Sequence, residues 1–130
     1  MIIELVTPQR KLFSVDADSV TFTGQLGEMT VMPGHVPLIT ALRPGPLTLR
    51  REGGQEVFAV GGGIAQIDGN RVALLAESAE PAGEIDPARA AKAKSQAELA
   101  LKEQSFYDET FAETQAAVAR ASTRLAVVGK

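Results

Sequence analysis

The feature that most constrains the fold is a short apolar run between two clusters of proline and glycine, residues 32–46. Pro33-Gly34 begins this segment and Pro44-Gly45-Pro46 ends it. Because proline and glycine favour turns, the chain is predicted to turn, run extended through residues 38–42, and turn again. Alternating residues predict a strand on each side, at 27–32 and 46–50. Such a unit needs an opposing apolar face, and the segments before residue 80 can supply it.

The remainder of the first 80 residues reads as short strands separated by turns. Residues 24–27 and the triplet Asp68-Gly69-Asn70 are turn signals, and Gly61-Gly62-Gly63 predicts a bend rather than a phosphate-binding loop, since no Gly-Lys-Ser/Thr follows. This spacing is typical of an antiparallel sandwich or barrel, and it does not suggest a parallel sheet with crossover helices. Further strands are predicted at 2–6, 11–15, 19–23, 57–60, 64–67 and 71–76.

The character of the sequence changes near residue 80. Residues 80–84 are predicted to be a linker, after which Asp86-Pro87 supplies a helix cap followed by proline at the first helical position. One helix is predicted from Ala88 to about residue 103 and a second from about 109 to 127, with an interruption at 104–108. Two helices joined by a few residues form an antiparallel hairpin. The predicted organisation is a β-sandwich over residues 1–84 and a helical hairpin over 85–130.

The apolar faces of the two predicted helices are thin, and the first consists mainly of alanine. Because each buried methylene contributes only about 0.8 kcal/mol, we expect a lightly packed hairpin whose position a ligand or partner can change. A static helical appendage is the alternative. The apolar positions are Ala90, Ala93, Ala97 and Leu101 on the first helix, and Phe111, Thr114, Val118, Ala121, Leu125 and Val128 on the second.

Composition excludes several classes of function. The chain has no cysteine and one histidine, which rules out disulfides, thiolate catalysis and histidine-rich or cysteine-based metal sites. The net charge of −3 lacks the concentrated basic face that nucleic-acid binding requires. With 45% hydrophobic residues but no apolar run near 18, we expect a folded intracellular polypeptide without direct membrane insertion. It can still dock onto a membrane complex.

Motifs in the same order across nearly the whole chain resemble the epsilon subunit of bacterial and chloroplast F-type ATP synthases. The match is specific because so many segments agree in sequence order. The matching segments are Val6-Thr7-Pro8, Gly27-Glu28, Pro33-Gly34-His35-Val36-Pro37-Leu38, Thr40-Ala41-Leu42-Arg43-Pro44-Gly45, Gly62-Gly63, residues 72–76, and Ile85-Asp86-Pro87-Ala88-Arg89-Ala90.

The resemblance implies a flattened ten-stranded β-sandwich followed by a two-helix hairpin. It implies a non-catalytic subunit of the rotor stalk that binds the gamma subunit and the ring of membrane subunits, and that couples ring rotation to the catalytic head. By moving, the C-terminal helices would restrain ATP hydrolysis, contacting the catalytic alpha and beta subunits when extended. The expected location is peripheral, on the cytoplasmic face of a bacterial plasma membrane rather than in a chloroplast thylakoid.

The resemblance also implies a regulatory ATP site, with no cofactor or metal required. Ile85, Asp86, Arg89 and Ala90 fit a family pattern that forms part of an ATP site in some bacterial members. Asp86 can accept an amino hydrogen of the base while Arg89, one helical turn on, meets phosphate. Arg120 and Arg124 share one face of the second helix and complete a phosphate clamp in this interpretation, which Glu80 borders.

Two simpler uses of these residues remain open. Asp86 can cap the helix while the arginines are ordinary surface residues, or Arg120 and Arg124 can meet acidic side chains of the catalytic head when the hairpin extends. If both arginine uses occur in different states, bound ATP holds the hairpin down and its loss frees the arginines.

A second set of residues is expected at the contact with the rotor ring or the gamma subunit. The resemblance assigns this role to loops that contain Glu28, Gly34, His35 and Pro37. His35 lies in a turn without a second histidine, so a structural or contact role is favoured over catalysis. The alternatives to a stalk subunit are a stand-alone ATP-sensing module and an enzyme on a β-sandwich, and the residues suggest no catalytic constellation.

Overall fold

The computed structural model describes residues 1–104 and 108–128, apart from the side chains of His35 and Val36. Within these residues ten strands precede two helices. The strands are β1 (Ile2–Val6), β2 (Lys11–Asp16), β3 (Ser19–Gly24), β4 (Gly27–Val31), β5 (His35–Leu42), β6 (Gly45–Arg51), β7 (Gly54–Val60), β8 (Gly63–Gly69), β9 (Arg71–Ala76) and β10 (Ala79–Pro81). A 3₁₀ turn (Ala82–Glu84) leads into the helices α1 (Pro87–Glu103) and α2 (Phe111–Val127).

The strands form a nearly closed sandwich, which confirms the predicted fold class. The strand order is β10-β7-β6-β3-β5-β8-β9-β1-β2, with β4 paired to β3. Strands β3 and β5 pair only at Gly24 and Leu42, so the sheet divides there into two layers. Strand β2, at one end of the order, approaches β7, which is next to the other end. The rings of Phe13 in β2 and Phe58 in β7 have centroids 5.2 Å apart.

Side chains from both layers meet in one apolar core, as the alternating strands predict. Ile3, Leu5 and Leu74 are fully buried from one layer, and Phe22 and Leu49 from the other are 1% exposed. One pairing differs from the antiparallel expectation: β1 lies parallel to β9, between β9 and β2. A crossover helix is needed only where consecutive strands lie parallel. Strands β2 to β8 separate β1 from β9 along the chain, so this parallel pair needs none.

The helical hairpin lies on the outer face of one layer. A second, smaller apolar cluster joins it to that face. Val57 and Ala59 of β7 point towards Val127, Ile85 and Ala90 in this cluster. The intervening residues of β7 point into the sandwich core, because successive side chains of a strand face opposite sides. The continuous apolar run at 57–60 is therefore explained by two buried faces on one strand.

The predicted linker at residues 80–84 is wrong, because these residues have regular structure. Glu80 and Pro81 belong to β10, which pairs antiparallel with β7, and residues 82–84 form the 3₁₀ turn. Pro81 is compatible with this strand since β10 lies at the end of the strand order and pairs on one side only. The other boundaries agree to within three residues, the largest differences being that β5 and β7 begin three residues before the predicted positions 38 and 57. Residues 105–107, within the predicted interruption between the helices, lie outside the described residues.

The outer face of the other layer exposes apolar side chains. Ile39, Ile64 and Leu75 are 71%, 48% and 46% exposed. Ala41, Ile64, Leu75 and Val6 are successive neighbours across β5, β8, β9 and β1. We call Val6, Ile39, Ala41, Ile64 and Leu75 the open face. Among the described helices, none combines the length and apolarity needed to span a bilayer.

Candidate functional site

A cavity of about 350 Å³ lies where the sandwich meets the helical hairpin. Strand β10 contributes Glu80, the start of α1 contributes Asp86 and Arg89, and α2 contributes Arg124. Ile85 and Ala90, which belong to the apolar cluster beneath the hairpin, also line it, with Glu84 and Ala93 completing the lining. Five of the six residues predicted to bind ATP thus surround one cavity, and its volume falls in the range of small-molecule sites.

Asp86 caps the first helix, which is the simpler of the two roles considered for it. Its Oδ1 accepts hydrogen bonds from the backbone nitrogens of Ala88 and Arg89, at 3.0 and 3.2 Å. Pro87 occupies the first turn, where its missing N–H is not needed. The cap fixes the direction in which α1 leaves the sandwich, so it also fixes Arg89 at the mouth of the cavity, where its side chain is exposed.

Arg124 forms an ion pair with Glu80 across the junction of the hairpin and the sandwich. The Arg124 Nε donates to Glu80 Oε1 at 2.5 Å, and the two side chains are 34% and 33% exposed. The residues are 44 positions apart in sequence. In this structure Arg124 therefore bonds a carboxylate of the sandwich rather than pointing freely towards the cavity.

Arg120, one turn before Arg124, lies away from the larger cavity. It lines a much smaller space of about 10 Å³ together with Ser78 of the sandwich and Thr123 of α2. Glu80 and Arg124 line both spaces. The structure thus brings Arg89 and Arg124 to the same cavity but does not bring Arg120 there, and the predicted three-arginine clamp is not assembled in it.

The charges around the larger cavity are mixed. Three carboxylates, those of Glu80, Glu84 and Asp86, line it with the two guanidinium groups of Arg89 and Arg124. Glu84 also lies 3.7 Å from the Arg10 guanidinium, which comes from the turn between β1 and β2. An anion can enter favourably only where the guanidinium groups are not already neutralised by these carboxylates. Among the described residues, no three His, Asp or Glu side chains are grouped to hold a metal ion.

The residues predicted to contact the rotor lie on β4 and β5 and in the turn before β5, whereas the helical hairpin packs on β6 and β7. Glu28 is exposed on β4, and Pro37 is exposed near the start of β5. Gly34 has a φ of +85° in the turn that precedes β5, a conformation that favours glycine. The His35 side chain lies outside the described residues. In the turn between β3 and β4, close to Glu28, Leu26 is fully exposed and was not singled out in the sequence.

Sequence reasoning missed parts of the cavity for an identifiable reason. Glu84 stood in the segment taken for a linker, and Ala93 was assigned only to the apolar face of α1. Glu80 was placed at the border of the site, but its ion pair with Arg124 has no local signal because the partners are 44 residues apart. A charged residue immediately before a proline-rich junction is the only hint in the sequence.

Comparison with known proteins gives matches over almost the whole chain. The family model described as "ATP synthase, Delta/Epsilon chain, beta-sandwich domain" matches residues 1–82, and "ATP synthase, Delta/Epsilon chain, long alpha-helix domain" matches residues 84–129. The ATP synthase epsilon chain of Geotalea uraniireducens is 42% identical over 128 residues, covering 98% of this chain and 93% of that one. The epsilon chain of Anaeromyxobacter dehalogenans is also 42% identical, covering 98% and 97%.

Solved structures with the same fold come from ATP synthase assemblies. A chain in the mitochondrial ATP synthase OSCP/F1/c-ring structure of Euglena gracilis superposes with a TM-score of 0.83 at 25% identity, covering 97% of this chain and 79% of that chain. A chain in the central stalk/c-ring structure of the Tetrahymena thermophila mitochondrial enzyme has a TM-score of 0.60 at 18% identity, covering 98% and 92%. The second likeness concerns the fold alone.

Proposed function

Because the chain belongs to the ATP synthase delta/epsilon chain family, we propose that it is a non-catalytic rotor-stalk subunit of an F-type, proton-translocating ATP synthase. In this role it couples ring rotation to the catalytic head, and its helical hairpin restrains ATP hydrolysis. Its location is peripheral, at the cytoplasmic face of a bacterial plasma membrane. The observation that carries the proposal is that the hairpin rests on the sandwich through its own small cluster, separate from the sandwich core.

The open face supports the choice of partners. The helical hairpin covers one outer face of the sandwich, whereas the opposite outer face carries Ile39, Ile64 and Leu75 without a cover within the described chain. A contiguous exposed apolar surface of this kind marks a protein interaction site. We assign it to the gamma subunit, and the surface around Glu28, Gly34, His35 and Pro37 to the membrane ring.

Substitution on the open face tests the assembly role. Ile64→Asp places a charge in the middle of the apolar row and is expected to abolish co-purification with the gamma subunit. Leu99→Asp is the matched control, because Leu99 is 61% exposed on α1, away from the open face. Equal recovery of gamma with both variants contradicts the proposal and favours the alternative, a stand-alone ATP-sensing module without obligatory partners.

Truncation tests the regulatory role. Removing residues 85–130 from the subunit in an assembled complex is expected to raise the rate of ATP hydrolysis, because the extended hairpin can no longer reach the catalytic alpha and beta subunits. Removing only residues 105–130 deletes α2 and is expected to raise it equally. Unchanged hydrolysis in a complex of intact composition leaves the sandwich with its coupling role alone.

Regulatory ATP binding is proposed at the cavity between the sandwich and the hairpin. The cavity brings together Asp86, Arg89 and Arg124, which offer an acceptor for the base and cations for phosphate. ATP titrated into the isolated protein is expected to shift the amide resonances of these three residues, and Arg89→Gln is expected to weaken the effect. Lys92→Gln, another exposed cation on α1, is the control. Absence of any shift at millimolar ATP rules out this site.

A further inference from the structure

The contact that joins the two parts of the molecule most directly by charge is the pair formed by Glu80 and Arg124. It connects the last strand of the sandwich to the last third of α2, and it lies beside the apolar cluster that holds the hairpin. Its 2.5 Å distance and partial burial separate it from the Arg51–Glu56 pair, at 3.0 Å and about half exposed. Ion pairs protected from solvent are screened less than exposed ones.

The same pair also determines whether the Arg124 guanidinium is available to an anion in the cavity. Arg124 can bond either Glu80 or a phosphate oxygen through its Nε, and in this structure it bonds Glu80. Glu80 and Arg124 form part of the wall of both the 350 Å³ cavity and the small space beside Arg120. Separation of the pair would therefore free the Arg124 guanidinium for the cavity already bordered by Arg89.

We propose that the Glu80–Arg124 pair holds the hairpin against the sandwich without any nucleotide, and that a phosphate-bearing ligand binds only by taking Arg124 from Glu80. This inference rests on the proposed regulatory role of the hairpin and specifies how that role is achieved. Arg124 is then bonded in both states, to a carboxylate when the site is empty and to phosphate when it is filled. Without nucleotide the hairpin is folded onto the sandwich. Bound nucleotide keeps it folded, but replaces the bond from Arg124 to Glu80 with a bond from Arg124 to phosphate.

The proposal predicts different behaviour for the wild type and for a chain that lacks the carboxylate. In the wild type, ATP must displace Glu80 from Arg124, so the cost of separating the pair lowers the apparent affinity for ATP. In Glu80→Gln the pair is lost while the size of the side chain is kept, and the hairpin is released more often. Because an isolated helix of this length is marginal in water, release is detected as faster amide hydrogen exchange in α2.

Amide exchange over residues 121–127 of the full-length chain is compared, without nucleotide, among the wild type, three variants of the pair and one control variant. Glu80→Gln and Arg124→Gln are each expected to accelerate exchange by roughly 5- to 30-fold. The charge-swapped double variant, Glu80→Arg with Arg124→Glu, is expected to restore slow exchange. Glu56→Gln is the matched control, since it breaks the exposed Arg51–Glu56 pair at a distant turn and should leave α2 unchanged.

Two outcomes overturn the proposal: exchange in Glu80→Gln equal to that of the wild type, or a double variant no slower than the single ones. The first means that the apolar cluster alone holds the hairpin. The second means that the arginine stem or the local packing matters and the charge pair does not.

A second arm adds ATP or, separately, inorganic tripolyphosphate to each protein. ATP is expected to bind Glu80→Gln roughly 5- to 30-fold more tightly than the wild type, because no carboxylate competes for Arg124, and to move the Arg124 Nε–H resonance of the wild type, which reports the change of acceptor. Equal affinity for ATP in the wild type and in Glu80→Gln contradicts the exchange of partners. If neither ligand binds, the ATP site under the proposed function fails, yet the nucleotide-free measurements still decide whether the pair holds the hairpin.

Discussion

The sandwich and the hairpin differ in how their apolar side chains are buried. Among the described residues, seventeen buried side chains join in the core between the two layers, whereas five form the cluster under the hairpin. Three of those five are valine or isoleucine and two are alanine, so little apolar area holds the helices down. We therefore expect detachment of the hairpin to cost much less free energy than unfolding of the sandwich.

The two outer faces of the sandwich extend this contrast. One is covered by the chain itself, through Val57 and Ala59 of β7. The other, the open face, is left exposed, with Ile39 at 71%. Under the proposed function the open face stays bound to a partner and the covered face releases the hairpin. The following predictions test whether the two regions are as unequal as their packing indicates.

The largest effect is expected for truncation in the sandwich core. Phe22 is 1% exposed and belongs to the main apolar cluster. Phe22→Ala is expected to lower the free energy of unfolding by about 3–5 kcal/mol, measured by urea denaturation with circular dichroism. Leu99→Ala, at a position 61% exposed, serves as the control and should change it by less than about 0.5 kcal/mol. A loss below 1 kcal/mol for Phe22→Ala would mean that the core is not the source of stability.

The difference in stability between the sandwich and the hairpin is tested by making the same substitution in both regions. Val72 lies in the sandwich core and Val127 lies under the hairpin, and both are fully buried. Val72→Ala is expected to reduce global stability by about 1.5–3 kcal/mol. Val127→Ala is expected to leave the urea midpoint of the sandwich nearly unchanged and to accelerate amide exchange in α2. If both variants shift the sandwich midpoint equally, hairpin and sandwich unfold as one unit and the contrast fails.

The sequence predicted the elements of both regions because their signals are local. Alternating residues identified the strands, and Asp86-Pro87 identified the start of α1. The short β10 was missed because three residues ending in proline have no alternation to read, and its pairing with β7 depends on a strand some twenty positions earlier. Similarly, the parallel pairing of β1 with β9 joins residues about seventy positions apart, which no local pattern specifies.

The candidate site was predicted only in part for the same physical reason. The cluster from Ile85 to Ala90 is contiguous in sequence and was found. The place of the α2 arginines depends on how the hairpin lies on the sandwich, and spacing four apart predicted only that Arg120 and Arg124 share a helical face. The structure separates them: Arg124 bonds Glu80, while Arg120 borders a different space. Which acceptor an arginine takes is a tertiary property.

A smaller effect is expected at the junction of the two regions, where Asp86 caps α1. Asp86→Ala removes the acceptor for two backbone nitrogens and is expected to destabilise the hairpin by about 1 kcal/mol. Asp86→Asn keeps an acceptor of the same shape and should cost much less. Amide exchange in the first turn of α1 measures both, with the sandwich amides of β8 as internal reference. Equal losses in the two variants would indicate that charge, rather than capping, accounts for the effect.

The smallest effect is expected at the turn that joins the helices, through the exposed Asp108. Its Oδ1 accepts hydrogen bonds from the Thr110 backbone nitrogen and hydroxyl, at 2.9 and 2.8 Å. The backbone bond first, then the hydroxyl bond, lowers the pKa of the Asp108 carboxyl below its usual value. A carboxyl whose pKa is lower in the folded chain stabilises the fold at pH values above its unfolded pKa, and this contribution is lost as the pH falls through the folded pKa.

Protection of the Thr110 amide against exchange is therefore expected to fall on acidification through that range. Asp108→Asn retains an acceptor but does not titrate, so its Thr110 amide should lose this pH dependence. The Ala121 amide, in the middle of α2, is the internal control in both proteins. The hairpin thus carries a weak pH-sensitive contact at its far end, while the sandwich core contains no described buried carboxylate that would respond alike. If the β-strand amides lose protection in step with Thr110, acid acts on the whole molecule and the hairpin is not the independent part.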